Sequence, residues 1–125
     1  FNFTFALLFP ASEIGLLVAA IMLVNNIRDI STDQRASKVT LAVRLGREKS
    51  IFLYCVCLLV PFLSIPFNPY LPWLNTVLSP LHFYLCWVIR KRSGSVLNVQ
   101  LAQTSLIVFL WALAYLVSFI LTPMY

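Results

Sequence analysis

Four long apolar runs, separated by short polar segments, set the pattern of this 125-residue chain. The first, "EIGLLVAAIMLVNNIRDI", covers residues 13–30. Eighteen residues at 1.5 Å each make a helix about 27 Å long, close to the thickness of a bilayer's hydrocarbon core. Residues 1–9 read as the end of a helix or a loop broken by Pro10, with Ser12 as N-cap and Glu13 in the first turn, where negative charge is favourable. The second run, residues 50–67, holds Pro61, which is expected to kink a membrane helix, since neighbouring groups can satisfy the freed carbonyl. The third, residues 70–90, is interrupted by Pro80, and the fourth covers residues 98–122. Polar loops are expected at 31–49 and 90–97. The pattern predicts an all-α, polytopic transmembrane helix bundle.

Composition supports that reading. Hydrophobic residues make up 61% of the chain and charged residues 10%, with a mean hydropathy of +0.90. So small a soluble core has no room for that much apolar surface, so the solvent must be lipid. The net charge of +5 sits in the polar segments: six Lys or Arg lie between Arg28 and Lys49, and three more at Arg90, Lys91 and Arg92. Nucleic-acid binding is not expected, because the aromatics lie inside apolar runs and are not interleaved with a basic face. Four alternating spans put both basic segments on one side, which the positive-inside rule makes cytoplasmic. The neutral turn at 66–70 and the C-terminus fall on the other side. Trp73, Trp87, Tyr70 and Tyr125 lie near span ends, where aromatic belts form. Cys55, Cys57 and Cys86 have no metal or disulfide spacing and read as apolar filler. The start "FNFTFALLFP" lacks an initiator Met and a charged n-region, so the chain is expected to be the later part of a longer protein.

One segment departs from the apolar theme. Asn25, Asp29 and Asp33 recur at i, i+4 and i+8, one stripe of a helix, with Asn26 beside it. Like charges at that spacing repel, and a helix C-terminus disfavours anions. Neither aspartate has a basic residue four positions away. Two readings remain open at this point. The aspartates either pair loosely with Arg28, Arg35 or Lys38 at a solvated helix end, or they hold a divalent cation such as Mg²⁺, which takes one or two carboxylates plus waters and phosphates. Arg28 lies about 100° around the helix from Asp29, so it is expected to face another element or a phosphate. Lys38, Arg44 and Arg47 follow in a loop able to fold back over the site. Metal, carboxylates and cations together suit a diphosphate whose leaving charge they stabilise.

"NNIRDISTDQRASKVTLAVRLGR" resembles the second aspartate-rich motif of the UbiA superfamily of intramembrane prenyltransferases. It is most similar to the branch acting on 1,4-dihydroxy-2-naphthoate in menaquinone and phylloquinone synthesis, whose pattern is approximately N-N-x-R-D-x-x-x-D-x-x-A-G-K-x-T-L-A-V-R-L-G. Asn25, Asn26, Arg28, Asp29, Asp33, Ala36, Lys38 and Thr40 through Gly46 match. "LNVQLAQT", Leu97 to Thr104, is similar to the run opening the family's last helix. Ser37 stands where the family usually has Gly, and the family's first aspartate motif is not in this sequence.

The resemblance implies that residues 1–125 are the C-terminal portion of one nine-helix transmembrane prenyltransferase domain. It implies that Asp29 and Asp33 hold Mg²⁺ against the diphosphate, supported by Asn26, while Arg28 and Lys38 neutralise the departing phosphate. The implied partners are a polyprenyl diphosphate, 1,4-dihydroxy-2-naphthoate, the lipid bilayer and the N-terminal half of the same protein. The implied setting is a bacterial plasma membrane or a plastid membrane. With half a metal site, these 125 residues are expected to be inactive alone. Another aromatic acceptor is the nearest alternative, and part of a membrane cation transporter is the alternative from a different class. His82 and Glu13 are read as packing residues outside the site.

Overall fold

The computed structural model describes residues 8–63 and 72–121. The described elements are helices: α1 (Leu8–Arg28), α2 (Ile30–Arg35), α3 (Leu41–Leu45), α4 (Arg47–Leu63), α5 (Pro72–Val88) and α6 (Leu97–Leu121), with a 3₁₀ turn at Gly94–Val96 before α6. Helices α1 and α6 are long and apolar enough to cross a membrane, and α5 has a shorter apolar stretch. At 1.5 Å per residue the 21 residues of α1 extend about 32 Å. The turn at 66–70, the end of the second predicted span beyond residue 63, Tyr70 and Tyr125 lie outside the described residues, as does the side chain of Trp73.

Several boundaries differ from the sequence expectation. Among the described residues helix α1 runs from Leu8 through Pro10. Ser12 is therefore inside the helix and not its cap; its Oγ donates back to the carbonyl of Phe9 at 2.8 Å. Glu13 is likewise inside the helix. Pro80 does not interrupt α5 but lies inside a continuous helix, as Pro61 does in α4. The expected loop 31–49 is largely helical, holding α2, α3 and the first turn of α4.

Helix α1 packs against both α4 and α6, and α5 against the same two. Leu17, Ala20 and Val24 of α1 meet Tyr54 and Leu58 of α4, Leu85 of α5, and Ile107 and Trp111 of α6 in a fully buried core. Outside it the usual order inverts. Phe52, Phe83, Phe109 and Ile120 are each more than 60% exposed, whereas Glu13, Asp33, Ser50, His82, Gln100 and Thr104 are buried. Polar groups inside and large apolar groups outside is the distribution expected of a helix bundle in lipid.

The buried polar groups are bonded in a fixed order. Gln100 Nε2 donates to the Tyr54 hydroxyl (2.9 Å) and to the Leu85 carbonyl (3.0 Å). Having accepted from Gln100, the Tyr54 hydroxyl spends its proton on Thr104 Oγ1 (2.9 Å), and Thr104 donates to the Gln100 carbonyl (2.8 Å). Arg92 Nη1 covers the remaining Gln100 amide oxygen at 3.0 Å. The network ties α4, α5 and α6 together where no water can substitute. His82 is a packing residue, as expected: Nδ1 bonds the Leu78 carbonyl at 2.9 Å, and the ring meets Phe62 and Trp111 edge-on. Glu13 accepts from the Tyr115 hydroxyl, joining α1 to α6 far along the chain from Asp29.

Both basic segments lie at the same end of the bundle. Arg47 donates to the carbonyls of Ile89 and Arg92, covering groups that the end of α5 leaves open. Lys91 Nζ sits 3.6 Å above the ring of Trp87, an exposed aromatic near the end of α5.

Removing the Tyr54 hydroxyl leaves a buried N–H of Gln100 without an acceptor. Tyr54→Phe is expected to lower stability by about 1–2 kcal/mol, measured by reversible unfolding in mixed detergent–SDS micelles. Unchanged stability would show the network to be incidental.

Candidate functional site

The last turn of α1 carries Arg28, a cation where the helix dipole favours one. Its guanidinium forks onto the next residue: Nε reaches Asp29 Oδ1 and Nη2 reaches Asp29 Oδ2, both at 2.7 Å. Nη2 also donates to Asn25 Oδ1 at 2.7 Å. Nη1 crosses to α6 and donates to Asn98 Oδ1 at 2.7 Å, seventy residues away in sequence. Arg28 thus faces another element, as its position predicted, but it also supplies Asp29 with an opposite charge that the i±4 count did not find.

Asp29 is where the predicted single helix 13–30 breaks. Its backbone (φ −96°, ψ 5°) separates α1 from α2. The side chain does not cap α2, because both oxygens are held by Arg28. The N–H of Asp29 still bonds the Asn25 carbonyl (3.1 Å), and that of Asp33 the Asp29 carbonyl (2.8 Å), so the i, i+4, i+8 stripe continues across the break. The Arg28 hydrogen bond, and secondarily the charges of Arg28 and Lys38, hold the Asp29 carboxyl below the usual carboxylate range.

Asp33 has a different environment. It is buried, its Oδ1 lies 3.4 Å from Lys38 Nζ, and its Oδ2 is buried with no hydrogen-bond partner. Lys38 is placed by the turn that ends α2: the N–H of Lys38 bonds the Asp33 carbonyl (2.8 Å) and that of Ser37 the Gln34 carbonyl (3.1 Å), with Ser37 at φ 55°. This paired 6→1 and 5→2 closure calls for a left-handed residue at position 37, a conformation glycine adopts without steric cost. Ser37 keeps the turn, so the departure from the family pattern leaves Lys38 over Asp33. Thr40 then caps α3 by accepting from the Val43 N–H at 3.4 Å, and Gly46 at φ 78° turns the chain into α4.

Between the α1–α2 junction and the start of α6 lies an open cleft of about 420 Å³. Arg28, Asp29, Ser31 and Thr32 form one wall, and Gly94, Ser95 and Asn98 the other. Asn26 is half-buried and does not line it. Arg44 is exposed, and Arg47 is turned away toward α5. Sequence reasoning did not select Asn98, Ser31, Thr32 or Ser95. The available signal was Asn98 itself, an amide opening a strongly apolar run.

No cluster of three or more His, Cys, Asp or Glu able to hold a metal ion occurs among the described residues. The orphaned Asp33 Oδ2 is a hard oxygen lacking a hydrogen-bond partner, the kind of donor a divalent cation takes.

Two outcomes follow from this geometry. Ser37→Gly is expected to stabilise the fold by about 1 kcal/mol by removing the left-handed penalty, read from the same unfolding titration. Because the Asp29 carboxyl is depressed in the folded protein, its pairing is fully present at neutral pH and is lost as pH falls through the depressed value. Arg28→Ala should move that titration upward toward the ordinary carboxylate midpoint, observed by ¹³C NMR of labelled protein; an unmoved midpoint would mean another group sets it.

Residues 2–113 match the profile of the UbiA prenyltransferase family. The chain is 38% identical over 104 residues to a 1,4-dihydroxy-2-naphthoate octaprenyltransferase of Mycobacterium tuberculosis, covering 80% of this chain and 36% of that protein. It is 34% identical over 108 residues to the protein of that name from Haemophilus influenzae, covering 81% and 35%. The Escherichia coli protein of that name is 47% identical over 55 residues, covering 44% and 18%. The chain thus spans about a third of the length of the first two relatives. No solved structure matches it.

Proposed function

Because the chain belongs to the UbiA prenyltransferase family, we propose that it is the C-terminal portion of an enzyme that moves a polyprenyl group from its diphosphate to 1,4-dihydroxy-2-naphthoate. The observation that carries this reading is the pair of aspartates at one end of a membrane bundle. One is clamped by Arg28 on an open cleft, and the other is buried with an oxygen to spare. The names of the relatives support the acceptor, and the local chemistry supports the diphosphate.

Asp29 and Asp33 are the residues that would hold Mg²⁺, which when bound neutralises phosphate oxygens and stabilises charge on the leaving diphosphate. Arg28, its fork held by Asp29, keeps a fixed positive charge and one Nη1 hydrogen at the cleft wall, whereas Lys38, exposed and on a flexible stem, supplies a cation able to follow the departing group. Asn26 is assigned a supporting role beside the stripe. The allylic C–O bond breaks with its electron pair passing to the diphosphate. The electron-rich ring carbon bearing the carboxylate forms the new C–C bond. Carbon dioxide then leaves, and the electron pair of its bond restores the aromatic ring.

The membrane placement suits a substrate with two natures. The polyprenyl tail enters from the lipid, and the charged head meets the basic end of the bundle, which the positive-inside rule makes cytoplasmic. Another aromatic acceptor fits the same cleft chemistry. The transporter reading has lost its support, since family membership points elsewhere and the acidic groups lie at one end beside Arg28 and Lys38 rather than along a pathway.

Asp29→Asn and Asp33→Asn in the full-length protein are each expected to lower Mg²⁺-dependent prenyl transfer at least about 100-fold, with membrane insertion unchanged. Labelled prenyl diphosphate and competing aromatic acids provide the assay. Retention of transfer by both variants would refute the metal assignment, and preference for 4-hydroxybenzoate would refute the acceptor.

A further inference from the structure

We propose that Asn98 completes the anion subsite of the cleft, holding Arg28 with its amide oxygen and donating its amide N–H groups to a diphosphate oxygen. The proposal rests on the diphosphate reading of the cleft and adds a residue from another helix to it.

A guanidinium has five N–H donors. Four are accounted for here: Nε–H on Asp29 Oδ1, both Nη2 hydrogens on Asp29 Oδ2 and Asn25 Oδ1, and one Nη1 hydrogen on Asn98 Oδ1. One Nη1 hydrogen is left for a ligand. The contact also fixes the orientation of Asn98. Arg28 can only donate, so the atom facing it is the amide oxygen, and Nδ2 with its two donors points elsewhere. Asn98 and Arg28 both line the same cleft, and Nδ2 has no protein partner among the described hydrogen bonds. Two residues lining the cleft, Arg28 of α1 and Asn98 of α6, thus each keep a donor that the protein does not use, and a bond spanning seventy residues holds them together. An oxyanion bridging those donors would lock α6 to the α1–α2 junction as it binds.

Aspartate at position 98 separates positioning from donation. It keeps, and strengthens, the contact to Arg28 while replacing the donating Nδ2 by an anionic oxygen. In the full-length protein, Asn98→Asp is expected to weaken binding of inorganic pyrophosphate with Mg²⁺ by at least about tenfold, measured by isothermal titration in nanodiscs. The KM for prenyl diphosphate should rise in step, while the KM for the aromatic acceptor and the melting temperature stay put. Asn98→Ala, which removes both roles, is the second variant and should weaken pyrophosphate binding similarly. Pyrophosphate binding of parental strength in Asn98→Asp would overturn the proposal and leave Asn98 as a tie between helices; should that variant not fold, parental binding in Asn98→Ala would overturn it equally. If the unmodified protein transfers no prenyl group yet binds pyrophosphate in an Asn98-dependent manner, the transfer reading falls and the anion subsite stands.

Discussion

The end of this bundle is organised by one guanidinium whose donors are shared among three side chains. Arg28 sits in the last turn of α1, forks onto Asp29 and reaches Asn98 at the start of α6. A planar, permanently charged fork can make those contacts at once; a lysine ammonium, a point charge on a flexible stem, would not hold the same geometry. Its location at the membrane edge matters too. Water is near enough that the ion pair carries no full desolvation cost, and its two-pronged geometry, with Arg28 and Asp29 a quarter to a third exposed, holds it in one arrangement.

The rest of the fold is arranged so that this end is rigid. Below it, Tyr54, Gln100 and Thr104 use up one another's donors and acceptors, and Arg92 covers the amide oxygen that remains. In lipid such groups have no solvent to fall back on, so a satisfied network specifies one packing of α4, α5 and α6. Gln100 and Asn98 are two residues apart on α6, so the helix that the network locks is the helix that meets Arg28. Above it, the short α2 and its left-handed closure at Ser37 bring Lys38 over Asp33. The two aspartates of the stripe thereby acquire unequal surroundings: one paired and on a cleft, the other buried and half satisfied.

The membrane character, the all-helical class, the aspartate stripe and the family were legible in the linear pattern because each depends on local or compositional physics. Apolar runs of membrane length report their solvent, and a spacing of four reports a helical face. The likeness to the UbiA family lies in a contiguous motif and needs no tertiary contact to be seen. What misled were prolines. Pro10 and Pro80 were expected to break helices, yet both lie within helical segments.

Only the folded chain decided who partners whom. The sequence offered Arg28, Arg35 and Lys38 as partners for the aspartates without assigning them; the fold gives Asp29 to Arg28, which turns back onto its neighbour, and Asp33 to Lys38, which the α2 closure delivers from five residues on. The sequence could not place Asn98 at the site either, since that contact joins residues seventy positions apart. Arg47 shows the converse: a cation beside the motif by sequence, it is drawn off to the open carbonyls beyond α5. Sequence determined the solvent, the helices and the chemical types at the membrane edge, because those follow from composition and short-range periodicity. Tertiary structure decided the pairing, because a charged side chain goes to whichever partner the packing of distant helices brings within about 3 Å.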